Sequence, residues 1–286
     1  MTAPAPGVLY IIGLAHSGST LLTMMLGGHP RICGVGEVEK LLLPASRRAR
    51  LADPVRGTCS CGKRLVDCPL WSHVFSRVED GASYGRNYGL FLEAAADFLG
   101  PGMMVCDSSK DLDRLTVIER DRSREGLPPL DIRVIHAIKD VRSYTASWKA
   151  LKQLGRIGVL RCYRSWFRKN RQIERAIQTS GYTAGRVSYE ELCFDPDSTL
   201  RAVCAALGIE FSQAMVNLRA GKGHVGGGNE MRLDPLKSTR VSYDFRWFND
   251  PWISTYYHLR PDIARYNQSR VYGNLGDRYR PPPKRG

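Results

Sequence analysis

Long apolar runs are missing from this sequence. The longest near its start, Val8-Leu9-Tyr10-Ile11-Ile12, is five residues, too short for a secretory h-region or a membrane span. With no targeting device legible, the chain is expected to be cytoplasmic and to have no membrane span. Acidic residues are also scarce: 28 Asp and Glu against 42 Lys and Arg leave a formal net charge of +14. Such a field favours anionic partners, whether nucleic acid, a phospholipid surface or a polyanionic small molecule. A long basic arm is absent too. Apart from a short tail from Arg278 to Arg285, the cations are scattered through the chain. That dispersion suits a cleft for an anionic small molecule, and nucleic acid is not expected as the main partner. No internal repeat is present.

What is there is ordinary globular material. At 286 residues the chain can bury roughly three quarters of its unfolded surface, and it reads as one domain with insertions. Val8 to Gly13 is a continuous β-branched apolar run, as in a parallel strand buried on both faces. An apolar helical stretch follows from Ser19 to Gly28. Further strands are expected at Met103 to Cys106, Ile132 to Ile138 and Arg186 to Tyr189. Helices are expected over Tyr88 to Leu99, Ser143 to Leu154, Ile157 to Thr179 and Asp197 to Leu207, the last with Asp195 or Asp197 as N-cap and Gly208 as C-cap. Alternating strands and helices predict an α/β fold: a single P-loop-like domain whose central parallel sheet has helices on both faces. The expected organisation is a loose N-terminus over 1–7, the domain over 8–275 with an irregular Cys-containing insertion at about 44–85, and a basic Pro-rich tail over 276–286.

In open parallel sheets, ligands bind beyond the carboxyl ends of the strands. The first such end reads Gly13-Leu14-Ala15-His16-Ser17-Gly18-Ser19-Thr20 and runs into a helix. Backbone N–H groups there, with Ser and Thr hydroxyls, make an anion site, and Gly18 lets the chain approach the ligand closely. The spacing is near that of a Walker A loop, but Ser19 stands where that motif has Lys. The missing Lys argues against an ATP- or GTP-using phosphotransferase.

Read on, the stretch His16-Ser17-Gly18-Ser19-Thr20-Leu21-Leu22, then Gly27-Gly28-His29-Pro30 and Gly36-Glu37, resembles the sulfotransferases that use 3′-phosphoadenosine-5′-phosphosulfate (PAPS). It is most similar to the tyrosylprotein sulfotransferases and their bacterial counterparts. Lys110-Asp111 resembles that family's Lys near the transferred group. Lys139-Asp140-Val141-Arg142-Ser143 with Ser147-Trp148 resembles its 3′-phosphate motif. Val187-Ser188-Tyr189-Glu190-Glu191-Leu192 resembles its Tyr-Glu-Glu-Leu segment, and Gly227-Gly228-Asn229 with Met231-Arg232 resembles the loop that closes over the nucleotide in bacterial members. Two positions depart from the family pattern: His16 and Lys139 stand where Lys or Arg and Arg are usual. Lys139 keeps the charge but not the bidentate grip.

The resemblance implies sulfuryl transfer from PAPS to a hydroxyl or amine acceptor, leaving 3′-phosphoadenosine-5′-phosphate (PAP). Glu37 would be the general base, with Glu39 as the alternative. Lys110 and His16 would stabilise the transferring group. His16, Ser17, Gly18, Ser19 and Thr20 would hold the phosphosulfate. Lys139, Ser147 and Arg232 would hold the 3′-phosphate, with Tyr189, Gly228 and Asn229 around the nucleotide. The transfer itself needs no metal. Competing readings are a P-loop-like nucleotide phosphotransferase and a non-catalytic nucleotide- or nucleic-acid-binding protein.

Eight Cys without a secretion signal read as thiols or metal ligands before disulfides. Cys59, Cys61 and Cys68 have the short spacing of thiolate ligands, and Cys33 could add a fourth. Buried thiols in an irregular insertion, or a redox disulfide, are the other readings.

Overall fold

Five strands hydrogen-bond in the order β2-β3-β1-β4-β5. They are β1 (Gly7–Gly13), β2 (Ile32–Gly36), β3 (Met104–Lys110), β4 (Ile132–Ile138) and β5 (Thr183–Ser188). The sheet is parallel and flanked by helices, the expected α/β fold. The computed structural model describes residues 7–42, 51, 53–218, 223–234 and 241–273. The loose N-terminus (save Gly7), the first residues of the insertion and the Pro-rich tail fall outside these. By contact density the chain divides into two compact units. One joins Met1–Ile11, Thr23–Val134 and Ser212–Arg240; the other joins Ile12–Leu22, Ile135–Phe211 and Val241–Gly286.

Helix α1 (Ser19–Leu26) follows β1. The first unit carries α2 (Val38–Leu41), α3 (Pro69–Phe75), α4 (Tyr84–Leu99) and α5 (Leu112–Arg124). The 44–85 region is less irregular than expected, because Pro69 fills the first position of α3, where its missing N–H costs nothing. That helix buries Trp71, which stacks on Phe91 of α4 at 5.9 Å between ring centroids. Helix α4 starts four residues before Tyr88 because the Ser83 side chain caps it, accepting from Arg86 N.

Strand β3 also runs past Cys106, where its residues turn polar. Asp107 is fully buried and accepts hydrogen bonds from Tyr88 Oη at 3.0 Å, Ser109 N at 2.8 Å and Ser109 Oγ at 2.6 Å. With those groups paired inside, polar residues can continue a buried strand. Desolvation still pushes the Asp107 carboxyl up to about 6.

The second unit carries α6 (Val141–Lys152), α7 (Arg156–Ser180), α8 (Tyr189–Phe194), α9 (Pro196–Leu207), α10 (Pro251–Leu259) and α11 (Pro261–Val271). Val141, Tyr144, Val159, Tyr163, Trp166, Ile253, Ile263 and Val271 form its core, drawn from four helices 130 residues apart in sequence at the extremes. A Ser188–Glu191 capping box starts α8. As expected, Asp195 caps α9, and Gly208 ends it in the left-handed region.

Gly13 closes β1 with φ +155°, and a Cβ there would lie 2.4 Å from the Ala137 carbonyl oxygen. Backbone cannot yield as a flexible side chain can. Gly13→Ala is therefore expected to cost at least about 2 kcal/mol, seen as a Tm lowered by at least about 4 °C. An unchanged Tm would show that the β1 end is laxer than drawn.

Candidate functional site

In the second unit the loop after β1 turns tightly. His16 adopts φ 66°, a region where a side chain is strained, and its ring meets Trp148 edge-on at 5.0 Å. The Ser17 amide closes the turn onto the Leu14 carbonyl at 3.1 Å. Gly18 has φ +86°, and a Cβ there would come within 2.9 Å of the Tyr189 ring. Ser17, Ser19 and Thr20 are buried at the start of α1. The Ser17 hydroxyl is buried yet has no hydrogen-bond partner among the described residues. An orphaned hydroxyl at a helix N-terminus is what an anion would satisfy.

Beside Tyr189, the first residue of α8, stands the end of β4. Lys139 is 5% exposed, and its ammonium lies 3.3 Å from Ser147 Oγ and 4.3 Å from the centre of the Tyr189 ring. Strand-end cation and helix hydroxyl thus meet as the eight-residue spacing predicts for one strand end and two helical turns. Lys139 forms an ion pair with Asp244 at 3.7 Å. Burial lowers the Lys139 pKa, with Asp244 and Glu190 acting the other way.

The next residue anchors the junction. The Asp140 carboxylate, fully buried, accepts from Arg142 N, Nε and Nη2 at 2.7, 2.9 and 2.7 Å, from Asn267 Nδ2 at 2.8 Å and from Tyr272 Oη at 2.9 Å. Arg142 in turn lies over the rings of Trp247 and Tyr257 at 4.2 and 4.4 Å. Burial disfavours the Asp140 charge, but these donors outweigh it and hold the carboxyl below its ordinary value. Glu190 is the opposite case. Its Oε2 accepts from Asp140 N at 3.1 Å, while Oε1 has no partner among the described residues. Burial, then the Asp140 charge, push it up to about 8.

Glu190 gives the protein a pH signature. A carboxyl at about 8 when folded and near the ordinary 4.5 when unfolded keeps its proton longer in the folded state. Its contribution is complete below 4.5 and is lost as pH rises through 8. Glu190→Gln should therefore stabilise progressively from pH 6 to pH 9, the gain reaching about 1–3 kcal/mol. Paired Tm measurements at the two pH values check this; a gap that does not widen would mean Glu190 is already ionised at pH 6.

In the first unit, Glu37 follows β2 and is 4% exposed. Its carboxylate pairs with both Lys110 and Lys40. Burial raises its pKa, but the two ammonium charges prevail and hold it below 4.5, so it is ionised at neutral pH. Its amide is fixed onto the Gly226 carbonyl at 2.9 Å. Lys110 ends β3 with φ 72°. With His16, it is one of three non-glycine residues in the left-handed region among those described, the third being Gln153 at a helix end. Glu39 points elsewhere, pairing with Arg114 at 3.3 Å while its amide donates to Ser109 Oγ at 3.0 Å.

Arg232, the expected third ligand of the 3′-phosphate, belongs to the first unit. It is 4% exposed, and Nη2 donates to the Val55 and Thr58 carbonyls at 3.0 Å each. Nη1 lies 3.5 Å from the Gly228 carbonyl and 3.3 Å from that of Asn229. These bonds hold two backbone segments together, while the buried Nε has no partner among the described residues. Gly228 itself adopts φ 86°, and Asn229 caps the 3-10 turn Glu230–Arg232 by accepting from Met231 N at 2.9 Å.

Sequence reasoning missed two charged neighbours. Lys40 could have been found, since it lies three residues after Glu37, within reach on the first helical turn. Asp244 carried no signal: it comes from a segment more than 100 residues beyond Lys139.

No family model matches the chain, and none of the curated proteins matches it. Among solved structures it is similar to the sulfotransferase domain of the Synechococcus PCC 7002 olefin synthase. The match has 20% identity and a TM-score of 0.56, and covers 90% of this chain and 96% of that one. The sulfotransferase domain from the curacin biosynthetic pathway matches at 16% identity and TM-score 0.48, over 91% of this chain and 99% of that one. Sulfotransferase STF9 from Mycobacterium avium matches at 14% identity and TM-score 0.46, over 93% and 77%. Those two scores are too low to weigh further. The first likeness shows that the chain has the fold of a sulfotransferase domain, the family its motifs resemble.

Proposed function

We propose that the protein is a PAPS-dependent sulfotransferase acting on a hydroxyl or amine acceptor. The observation that carries this is the buried Lys139 ammonium held between the Ser147 hydroxyl and the Tyr189 ring. A 3′-phosphate replaces the weak contact to Asp244 with a dianion and takes the Ser147 hydroxyl as second donor. The Ser17 hydroxyl, unpartnered among the described residues, and the α1 amides bind the 5′-phosphosulfate. The chemistry of these donors suits a nucleotide with separate 3′-phosphate and 5′-phosphosulfate groups better than a triphosphate, since Ser19 takes the place of the Walker Lys.

In the transfer, the acceptor oxygen or nitrogen attacks sulfur in line, a new bond to sulfur forms, and the bond from sulfur to the phosphate oxygen breaks. The electron pair leaves with PAP, and the acceptor's proton goes to Glu37. Lys110 meets the charge that develops on the transferring group. At rest it neutralises Glu37. Drawn toward the incoming anion, it would release the carboxylate, whose basicity then rises when the proton must be taken. Arg232 braces the loop that carries Gly228 and Asn229 through its terminal nitrogens and keeps Nε for the 3′-phosphate.

The test is transfer of label from [35S]PAPS to a panel of phenols, sugars, aliphatic alcohols and amines, with PAP counted in parallel. Labelled acceptor and PAP appearing in equal amounts is the expected result. Turnover of ATP with PAPS left intact would overturn the reading in favour of a phosphotransferase.

A further inference from the structure

The cysteines of the 44–85 region are not scattered. Cys59 and Cys61 flank a tight turn in which Gly62 N donates to the Cys59 carbonyl at 2.9 Å and Cys59 N to the Lys63 carbonyl at 2.8 Å. Cys68 sits at the N-cap of α3. His224, more than 150 residues further on, brings its ring to the same point. Its Nδ1 lies 3.1 Å from Cys68 Sγ and 4.0 Å from Cys59 Sγ, and the two sulfurs are 3.6 Å apart. With Cys61 Sγ, the four ligand atoms all lie within 4.8 Å of one another.

These separations fit a tetrahedron. Zinc at about 2.3 Å from sulfur and about 2.05 Å from nitrogen sets ligand edges of about 3.8 Å between sulfurs and about 3.6 Å between sulfur and nitrogen. A disulfide does not fit, since its sulfurs must come to about 2.05 Å, and all eight Cys are free. Cys33, the fourth thiol the sequence suggested, stays in β2 with its Sγ on the Gly34 carbonyl. We propose that Cys59, Cys61, Cys68 and His224 Nδ1 hold a structural zinc ion. Three soft thiolates and one imidazole favour zinc over the hard cations, and four protein ligands leave no position for water or substrate.

The site would brace a particular segment. Ser60 Oγ donates to the Gly223 carbonyl and accepts from Val225 N, each at 2.9 Å. Trp71 Nε1 donates to the His224 carbonyl at 2.7 Å. That segment then pairs with the edge of β2, where His224 N donates to the Gly34 carbonyl and Glu37 N to the Gly226 carbonyl. Zinc thus becomes a positioning element two residues from the backbone that fixes Glu37. No step of the transfer passes through it, and the site stands whether or not the transfer reading does.

The test uses the full chain, produced with zinc in the medium and purified without chelator. Metal analysis should find about one zinc per chain, and cobalt(II) in its place should show the intense visible absorption of a tetrahedral thiolate site. A chelator should lower the Tm by more than about 5 °C, and added zinc should restore it. His224→Ala alters a residue that also packs in the fold, so Cys61→Ser, at the exposed ligand, is the second variant; each should retain less than about a tenth of the wild-type zinc. Wild-type protein without stoichiometric zinc, even after exposure to the ion, overturns the proposal. So does recovery of a Cys59–Cys68 disulfide from the unreduced protein.

Discussion

Glu37→Gln is expected to lower turnover by about 10²–10⁴-fold and to leave PAP affinity within about twofold. Gln has the shape of Glu, and its one carbonyl oxygen can still accept from one of the two lysines, but it cannot take a proton. The wild-type carboxylate is buried and ionised because two ammonium groups surround it. The loss should therefore fall on kcat, with KM for PAPS little changed. A purely structural Glu37 would give the reverse pattern: a lowered Tm, with kcat per folded molecule preserved. Should the variant keep more than about a third of its turnover, proton removal would lie elsewhere. Glu39 would be a poor substitute, since its carboxylate is engaged with Arg114.

Lys139→Ala should weaken PAP about tenfold to a hundredfold, as for a lost charged hydrogen bond. Adenosine 5′-phosphate, which has no 3′-phosphate, should bind wild type and variant nearly equally. The comparison separates a direct phosphate contact from general damage, because Asp244 and the Tyr189 ring lose their cation in both measurements. Lys139→Arg should restore most of the PAP affinity by keeping the charge. Equal losses for both nucleotides would remove Lys139 from the 3′-phosphate.

Local pattern made the fold legible where one physical constraint dominated. Val8 to Ile12 could only be a buried strand, and it is buried throughout. Asp195, Pro196 and Gly208 mark both ends of α9 by the backbone conformations they favour. Strand β3 runs four residues beyond its expected end, because Asp107, Ser108 and Ser109 look like a loop until their buried partners are known. Lys139 and Ser147, named together by the family resemblance, do meet, and a spacing of eight residues suffices because both belong to one strand–helix junction. Arg232 and His224 did not yield to such reasoning. What each one touches, Val55 and Thr58 or Cys59 and Cys68, lies more than 150 residues away, and no period or spacing carries that information.

The most direct measurement is calorimetric titration of the wild-type protein with PAP, repeated with ATP and with ATP as competitor. A sulfotransferase built on these residues binds PAP at least about tenfold more tightly than ATP, because Lys139 and Ser147 are placed for a 3′-phosphate and the 16–20 loop has no Walker Lys. Absence of PAP binding, or equal binding of ATP, would contradict the account.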